Sequence, residues 1–487
     1  MNRKKKIRNV TVTVVLWVAI WQLMAMQIDN PIFLPSPIAT MQSFKKLLQS
    51  KEFFYSVSSS LGNIAKGFLL GIFFGTLFAV ISSVSEFLYT FISFPMRIIK
   101  ATPVASFTIL ALFWMDSSKL SILVSFFMVL PILYTNVFTG IQETDVKLLE
   151  MAKIFQVRWY AKVWFLYVPS VLPYLFSACS VAIGLAWKSG IAAEVIGITK
   201  HSIGNHLYQA KIYLEMTELF AWSFVIISIS ILSELVVLFL IRLLEQRLYE
   251  TGKRESQEIE DTIEFQMQKE RKLQPKKSYI TQNQIVREKQ YGEEMISTIR
   301  LNEITKAYGE HFVLDKVSLE LSSKHPVAIM GSSGIGKTTL FRIVLGVEKP
   351  DAGSIQKENV TEVYSVVFQE NRLCEQITVE KNLQMVCKTK KQREQIPELL
   401  HQLGLSGCAR QKVYSLSGGM KRRVAIGRAI LFDGFILLMD EPFQGLDSRT
   451  KEMVLCLVKE KLKGKIGLII THEEKEAIDL GCTIIRF

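Results

Sequence analysis

Apolar residues fill the first half of this chain in long blocks, each near the ~20 residues that a helix needs to cross a bilayer. The second half changes to the shorter rhythm of strands and helices. Met1–Arg8 carries Arg3, Lys4, Lys5, Lys6 and Arg8, and Val10–Ile28 then stays apolar. The block is long for a signal peptide and lacks a small-residue cleavage site. It reads as a retained first span that enters from the cytoplasm. Further spans are expected near 61–83, 101–115, 119–141, 171–196 and 219–243. The stretch 86–100 contains Pro95, Arg97 and Lys100 and reads as an interfacial helix leading into a short third span. Six crossings return the chain to the cytoplasm. Glu245–Thr298 is polar and charged, and Gln274-Pro275 would stop any helix there. The pattern predicts a membrane domain over 1–245, a flexible or partly helical linker over 246–297 and an α/β domain over 298–487.

With 487 residues the chain has room for two or three domains. The formal charge of +13 does not point to nucleic acid. Aromatic and basic residues do not interleave along a groove motif. Lysines and arginines instead gather beside apolar segments, as on a cytoplasmic membrane face. Cys179, Cys374, Cys387, Cys408, Cys456 and Cys482 are scattered, with no metal-ligand spacing. All but Cys179 lie in the second half, where reduced thiols are expected.

Candidate chemistry starts at Gly331-Ser332-Ser333-Gly334-Ile335-Gly336-Lys337-Thr338-Thr339. An apolar strand, Val327–Met330, leads into it, and a helical run from Leu340 to Leu345 leads out. Glycines let successive N–H groups turn towards phosphates, and the helix N-terminus adds its dipole. Lys337 would reach the β- and γ-phosphates and Thr338 would hold Mg²⁺. More motifs follow in order: Gln369 after a predicted strand, Leu416-Ser417-Gly418-Gly419-Met420, and an apolar strand ending in Asp440-Glu441-Pro442. Gly445-Leu446-Asp447 and Thr471-His472 complete the set. ATP hydrolysis needs neutralised phosphate charge, an aligned water and a nearby base. Asp440 at the strand end suits Mg²⁺, directly or through water, and Glu441 is placed to polarise the attacking water.

In this order the motifs resemble the ATPase domain of ABC transporters, over roughly residues 298–487. The resemblance implies that ATP and Mg²⁺ bind. It places His472 on the γ-phosphate. It assigns Gln369 to sensing Mg²⁺, the water and the membrane domain, and Tyr308 to stacking on adenine. Asp447 joins the nucleotide-contacting set. Ser417, Gly418 and Gly419 would complete the ATP site of a facing copy, so the working unit is expected to be a homodimer. Met420 replaces the commoner Gln, a change expected to be tolerated because the preceding residues make the phosphate contacts.

The stretch 143–170 is the second informative feature. Glu150-Met151-Ala152, then Gln156, then Leu166, Val168 and Pro169 resemble the coupling loop of ABC importer permeases, E-A-A-x3-G-x9-I-x-L-P. Met151 and Gln156 depart from it, and Gln156 stands where glycine would make the bend without strain. Phe33–Pro37, Gly184–Gly197 and Leu207–Glu215 resemble permeases of the nitrate, sulfonate and taurine group. Lys188 and Glu194 lie in a predicted span, where a charge costs about 2.5–3.5 kcal/mol on insertion scales. They either line the translocation path or sit near the interface or pair structurally.

The expected architecture is an α-helical polytopic membrane domain of six spans, of the type I importer permease kind, followed by an α/β P-loop ATPase. It implies ATP-driven import of a small polar solute such as a sulfonate, a nitrate-like anion or a vitamin precursor. An extracytoplasmic solute-binding protein would be the partner. The chain would sit among lipids in the cell membrane, with its N-terminus and ATPase cytoplasmic. Two rivals are an ABC exporter, which needs long cytoplasmic helices and has no such loop, and a non-transport membrane ATPase, which usually carries a large external domain.

Overall fold

The computed structural model describes residues 3–243, 296–332 and 334–487. The linker expected at 246–297 falls outside the described residues except for its last two, and so does Ser333. The chain divides into two compact units. One is Met1–Glu143 with Ser170–Arg247, and the other is Thr144–Pro169 with Leu248–Phe487.

In the first unit, Lys51–Ser82 begins behind Ser50, whose hydroxyl accepts from the Phe53 N–H at 3.1 Å. Gly67, Gly71 and Gly75 share one face of this helix. A side chain at these positions would strike the Ile122 carbonyl at 2.4 Å, Val129 at 2.5 Å and Leu133 at 2.7 Å. Small residues therefore let helix Ser117–Gln142 pack closely. The partners rise together in number, so these two helices run parallel. The chain must travel back between them.

That return corrects the expected third span. Residues 101–115 do not form one helix. Helix Glu86–Ala101 ends at extended Thr102, because Pro103 disfavours helical backbone in the residue before it. Val104–Ala111 then continues for eight residues. Tyr89 stacks on Phe138 at 4.7 Å, Phe107 meets Phe127 at 4.9 Å, and Ala111 packs with Leu120 and Val124. Both pieces thus run antiparallel along Ser117–Gln142, and the stretch read as interfacial belongs to the return. Among the described residues five helices are long and apolar enough to span: Thr11–Ile28, Lys51–Ser82, Ser117–Gln142, Trp159–Gly197 and Met216–Leu243. They match the other five expected spans.

Lys188 and Glu194 do not pair. Glu194 is fully buried, and its Oε2 accepts from Ser60 Oγ at 2.8 Å and from the Gly204 N–H at 3.2 Å. The Ile203 N–H donates to Ser60 Oγ, and the Asn205 N–H donates to Ser202 Oγ. Three orphan N–H groups at the start of helix Ile203–Ile212 are satisfied in this way. Glu194 is a structural tie between that helix, its own span and Lys51–Ser82. Lys188 is exposed.

The second unit holds two sheets. Strands β1 (Thr298–Tyr308), β2 (His311–Ser322) and β4 (Ala352–Glu358) form an antiparallel sheet in the order β2-β1-β4. β3 (Val327–Met330), β5 (Tyr364–Val367), β6 (Ile436–Asp440), β7 (Ile466–Ile470) and β8 (Thr483–Arg486) form a parallel sheet in the order β5-β6-β7-β3-β8. β6 and β7 are buried along their whole length, as continuous apolar strands of a covered parallel sheet must be. Crossover helices Lys337–Val344, Gly418–Phe432, Ser448–Leu462 and Glu474–Leu480 connect the strands. Parallel pairing puts the carboxyl ends of β3, β5, β6 and β7 at one edge, where α/β sheets bind ligands.

Candidate active site

Four of the motifs sit at those strand ends. The Gly331 loop follows β3, Gln369 follows β5, Asp440 closes β6, and His472 follows β7. Gly336 adopts φ +98°, and a side chain there would meet the Val313 carbonyl at 2.6 Å. Only glycine fits this point, from which helix Lys337–Val344 starts. Lys337 is buried and folds back, its Nζ donating to the carbonyls of Gly331 and Ser332 at 2.8 Å each. Those carbonyls hold the ammonium at the loop.

Thr338 Oγ1 donates to Asp440 Oδ2 at 3.2 Å. Asp440 is buried, and its Oδ1 has no hydrogen-bond partner among the described residues. Burial pushes its carboxyl up to about 6; Glu441 adds to the rise, and the Thr338 hydroxyl opposes it. A buried carboxylate oxygen without a donor beside a threonine hydroxyl is a hard-oxygen donor set, and it fits Mg²⁺. Glu441 takes a left-handed φ of +49°, rare for a residue with a side chain. Its Oε1 lies 3.0 Å from His472 Nε2, so candidate base and histidine form one pair.

Tyr308 is half exposed at the end of β1, its hydroxyl bonded to Glu348 and Lys306 Nζ 5.8 Å from its ring centre. Gln369 is exposed, and its backbone carbonyl accepts from Arg422 at 3.1 Å. Ser417 caps helix Gly418–Phe432, accepting from the Met420 N–H at 3.4 Å, and it stands exposed with Gly418. Among the described residues no hydrogen bond joins 417–419 to the Gly331 loop. Asp447 caps helix Ser448–Leu462, accepting from the Thr450 N–H at 3.0 Å; the Thr450 side chain first, and then that N–H, hold its carboxyl below the usual range.

The loop 144–169 belongs to the same compact unit as the ATPase fold. Asp145 caps helix Val146–Ile154. Met151, Ala152, Phe155, Val157 and Leu166 are buried in one cluster with Phe368, Cys374 and Phe432. Met151, which departs from the family pattern, has no exposure at all. Glu150 Oε2 lies 2.9 Å from Arg372 Nη1, and Lys147 pairs with Glu370 at 2.6 Å. Phe155 meets Phe432 edge-on at 5.1 Å and lies under the Arg428 guanidinium at 5.2 Å. Gln156 itself takes the left-handed bend, at φ +51°, and accepts from Lys388 at 2.9 Å.

The sequence reading missed three arginines: Arg372, Arg422 and Arg428. A signal was present for Arg422. Lys421, Arg422 and Arg423 crowd the first turns of a helix, where the dipole disfavours cations. Such a placement needs a compensating partner.

Residues 67–249 match the family model described as binding-protein-dependent transport system inner membrane component, and residues 314–444 match that of the ABC transporter. The chain is 37% identical over 182 residues to the aliphatic sulfonates import ATP-binding protein SsuB 2 of Pseudomonas syringae pv. tomato, covering 37% of this chain and 78% of that one. It is 38% identical over 184 residues to SsuB 3 of Paraburkholderia xenovorans, covering 37% and 73%. It is 33% identical over 207 residues to the sulfate/thiosulfate import ATP-binding protein CysA of Bacillus cereus, covering 39% and 58%. With an inner-membrane transport component and an ATP-hydrolysing cassette on one polypeptide, the chain belongs to the ABC transporters and is of the importer type.

Proposed function

We propose that two copies of this chain form an importer for a small anion of the sulfonate class, served by an extracytoplasmic binding protein. The observation that carries the reading is the Glu150–Arg372 contact. A permease loop with the importer pattern packs into the ATPase fold, which is the arrangement that lets nucleotide state reach the membrane spans. Domain boundaries at 1–245, 246–297 and 298–487 follow from this reading, with the N-terminus and ATPase in the cytoplasm. Six crossings agree with the parallel packing of Lys51–Ser82 and Ser117–Gln142, which requires a return through 83–116.

The anion assignment draws on the sulfonate and sulfate relatives and on two lysines. Ser60 against Glu194 and Ile64 against Gly190 set Lys66 level with Lys188. Both are exposed on spans, and Lys188 lies roughly 14 Å in from the end of its helix at ~1.5 Å per residue. Cations held at that depth are expected to face a polar path.

In hydrolysis Glu441 polarises the attacking water, and His472 orients it and contacts the γ-phosphate. Lys337 leaves the Gly331 and Ser332 carbonyls for the phosphates. Thr338 and Asp440 would hold Mg²⁺, which neutralises phosphate charge, with Gln369 nearby as sensor. Ser332, Ser333, Gly334 and Thr339 complete the phosphate cradle, and Tyr308 leaves Glu348 to stack on adenine. Ser417, Gly418, Gly419 and Asp447 serve the site shared with the second copy. ATP binding closes the dimer and turns the permeases outward, and hydrolysis resets them.

Dimers purified into liposomes test the reading. Basal ATPase activity should be low and should rise several-fold when a binding protein loaded with an alkanesulfonate is added outside. Substrate-specific uptake with no binding protein would overturn the dependence.

A further inference from the structure

Arg422 is almost wholly buried, on the second turn of helix Gly418–Phe432. All three of its guanidinium nitrogens are engaged. Nη1 donates to the carbonyls of Phe368 at 2.5 Å and Gln369 at 3.1 Å, and to Asn371 Oδ1 at 3.3 Å. Nη2 donates to the carbonyls of Asp440 and of Glu441, the latter at 2.6 Å. Nε donates to the Pro442 carbonyl at 3.1 Å.

The acceptors fall into two groups. Phe368, Gln369 and Asn371 leave β5, while Asp440, Glu441 and Pro442 leave β6. These strands pair in parallel up to Val367 and Met439 and then part. Carbonyls beyond that point lose the ladder and need other donors. A guanidinium offers five donors in a fixed fork, so one side chain can bridge both strand ends. A lysine ammonium, a single point of charge, would serve one group or the other.

We propose that Arg422 is a positioning residue for ATP hydrolysis. It makes the helix that carries the Ser417–Gly419 turn, the loop begun by Gln369 and the strand end bearing Glu441 move as one body. The left-handed backbone of Glu441 has its carbonyl in this grip, so Arg422 fixes where that carboxylate points. Arg428, on the same helix, donates to the carbonyls of Asn371 and Arg372, which extends the grip along the loop that meets Glu150.

The test compares full-length wild type with Arg422→Lys, Arg422→Gln, Gln369→Ala and the Arg422→Lys/Gln369→Ala double variant. Turnover is counted per nucleotide-binding site, titrated with a fluorescent ATP analogue, so loss of folded protein does not count as loss of catalysis. Both Arg422 variants should lower kcat at least tenfold while KM for ATP stays within about twofold. The double variant should be no slower than the slower single one, because both changes disturb the same loop. Wild-type kcat per site in Arg422→Lys would overturn the proposal. So would equal losses in kcat and ATP affinity, or multiplicative effects in the double variant.

Discussion

Glu150 and Arg372 form an ion pair at 2.9 Å although 222 residues of sequence separate them. The arginine side chain is 9% exposed and its guanidinium lies 3.8 Å from the Phe368 ring centre. A hydrogen bond to a charged group in such a site is worth about 1.5–3 kcal/mol. Glu150→Ala should therefore leave ATP affinity unchanged and cut the stimulation of ATPase by loaded binding protein at least tenfold. Cysteines at Lys147 and Glu370, in a background without native cysteines, should crosslink. Normal stimulation in Glu150→Ala would show that this contact does not couple the domains.

Gln156 occupies a left-handed bend that costs a side-chain-bearing residue about 1–2 kcal/mol. Its exposed bond to Lys388 returns only part of that. Gln156→Gly is expected to keep transport and to raise the thermal midpoint of the solubilised protein slightly. A lowered midpoint would mean that the Lys388 bond outweighs the backbone strain.

Glu441→Gln removes the base but keeps the shape of the site. Turnover should fall by about 10²–10⁴-fold, the usual share of a general base. ATP should still bind and hold the dimer closed, as scored by nucleotide retention on gel filtration. Near-normal steady-state hydrolysis would remove Glu441 from its role.

Shared sites are tested by mixing lesions. In a dimer of one Lys337→Ala chain and one Ser417→Arg chain, both faults fall on the same composite site and the other site is whole. Provided one intact site suffices for turnover, ATPase activity should exceed that of either variant alone. Mixed dimers no more active than the singles would argue that each copy completes its own site.

The strand-end placement of the candidate site is readable in the sequence because its constraints are local. Gly336 needs a backbone conformation only glycine adopts cheaply, and Asp440 and Glu441 must end a strand. The loop at Glu150 was readable by pattern, but its partner was not. Arg372 has no local signature, since pairing across the fold depends on tertiary packing. For Arg422 the sequence offers only its position against the helix dipole. The third span was misread because hydropathy sees apolar length and not the break that Pro103 imposes. Lys188 and Glu194 lie six positions apart and could not be separated by sequence alone. One points out and the other is tied by Ser60 and Gly204.

Direction of transport tests the central claim most directly. Liposomes carrying the dimer, with ATP sealed inside, energise only the copies whose ATPase faces the lumen. With loaded binding protein outside, labelled alkanesulfonate should accumulate in the lumen, and Glu441→Gln should abolish the accumulation. ATP-driven loss of a preloaded solute from the lumen would contradict the account.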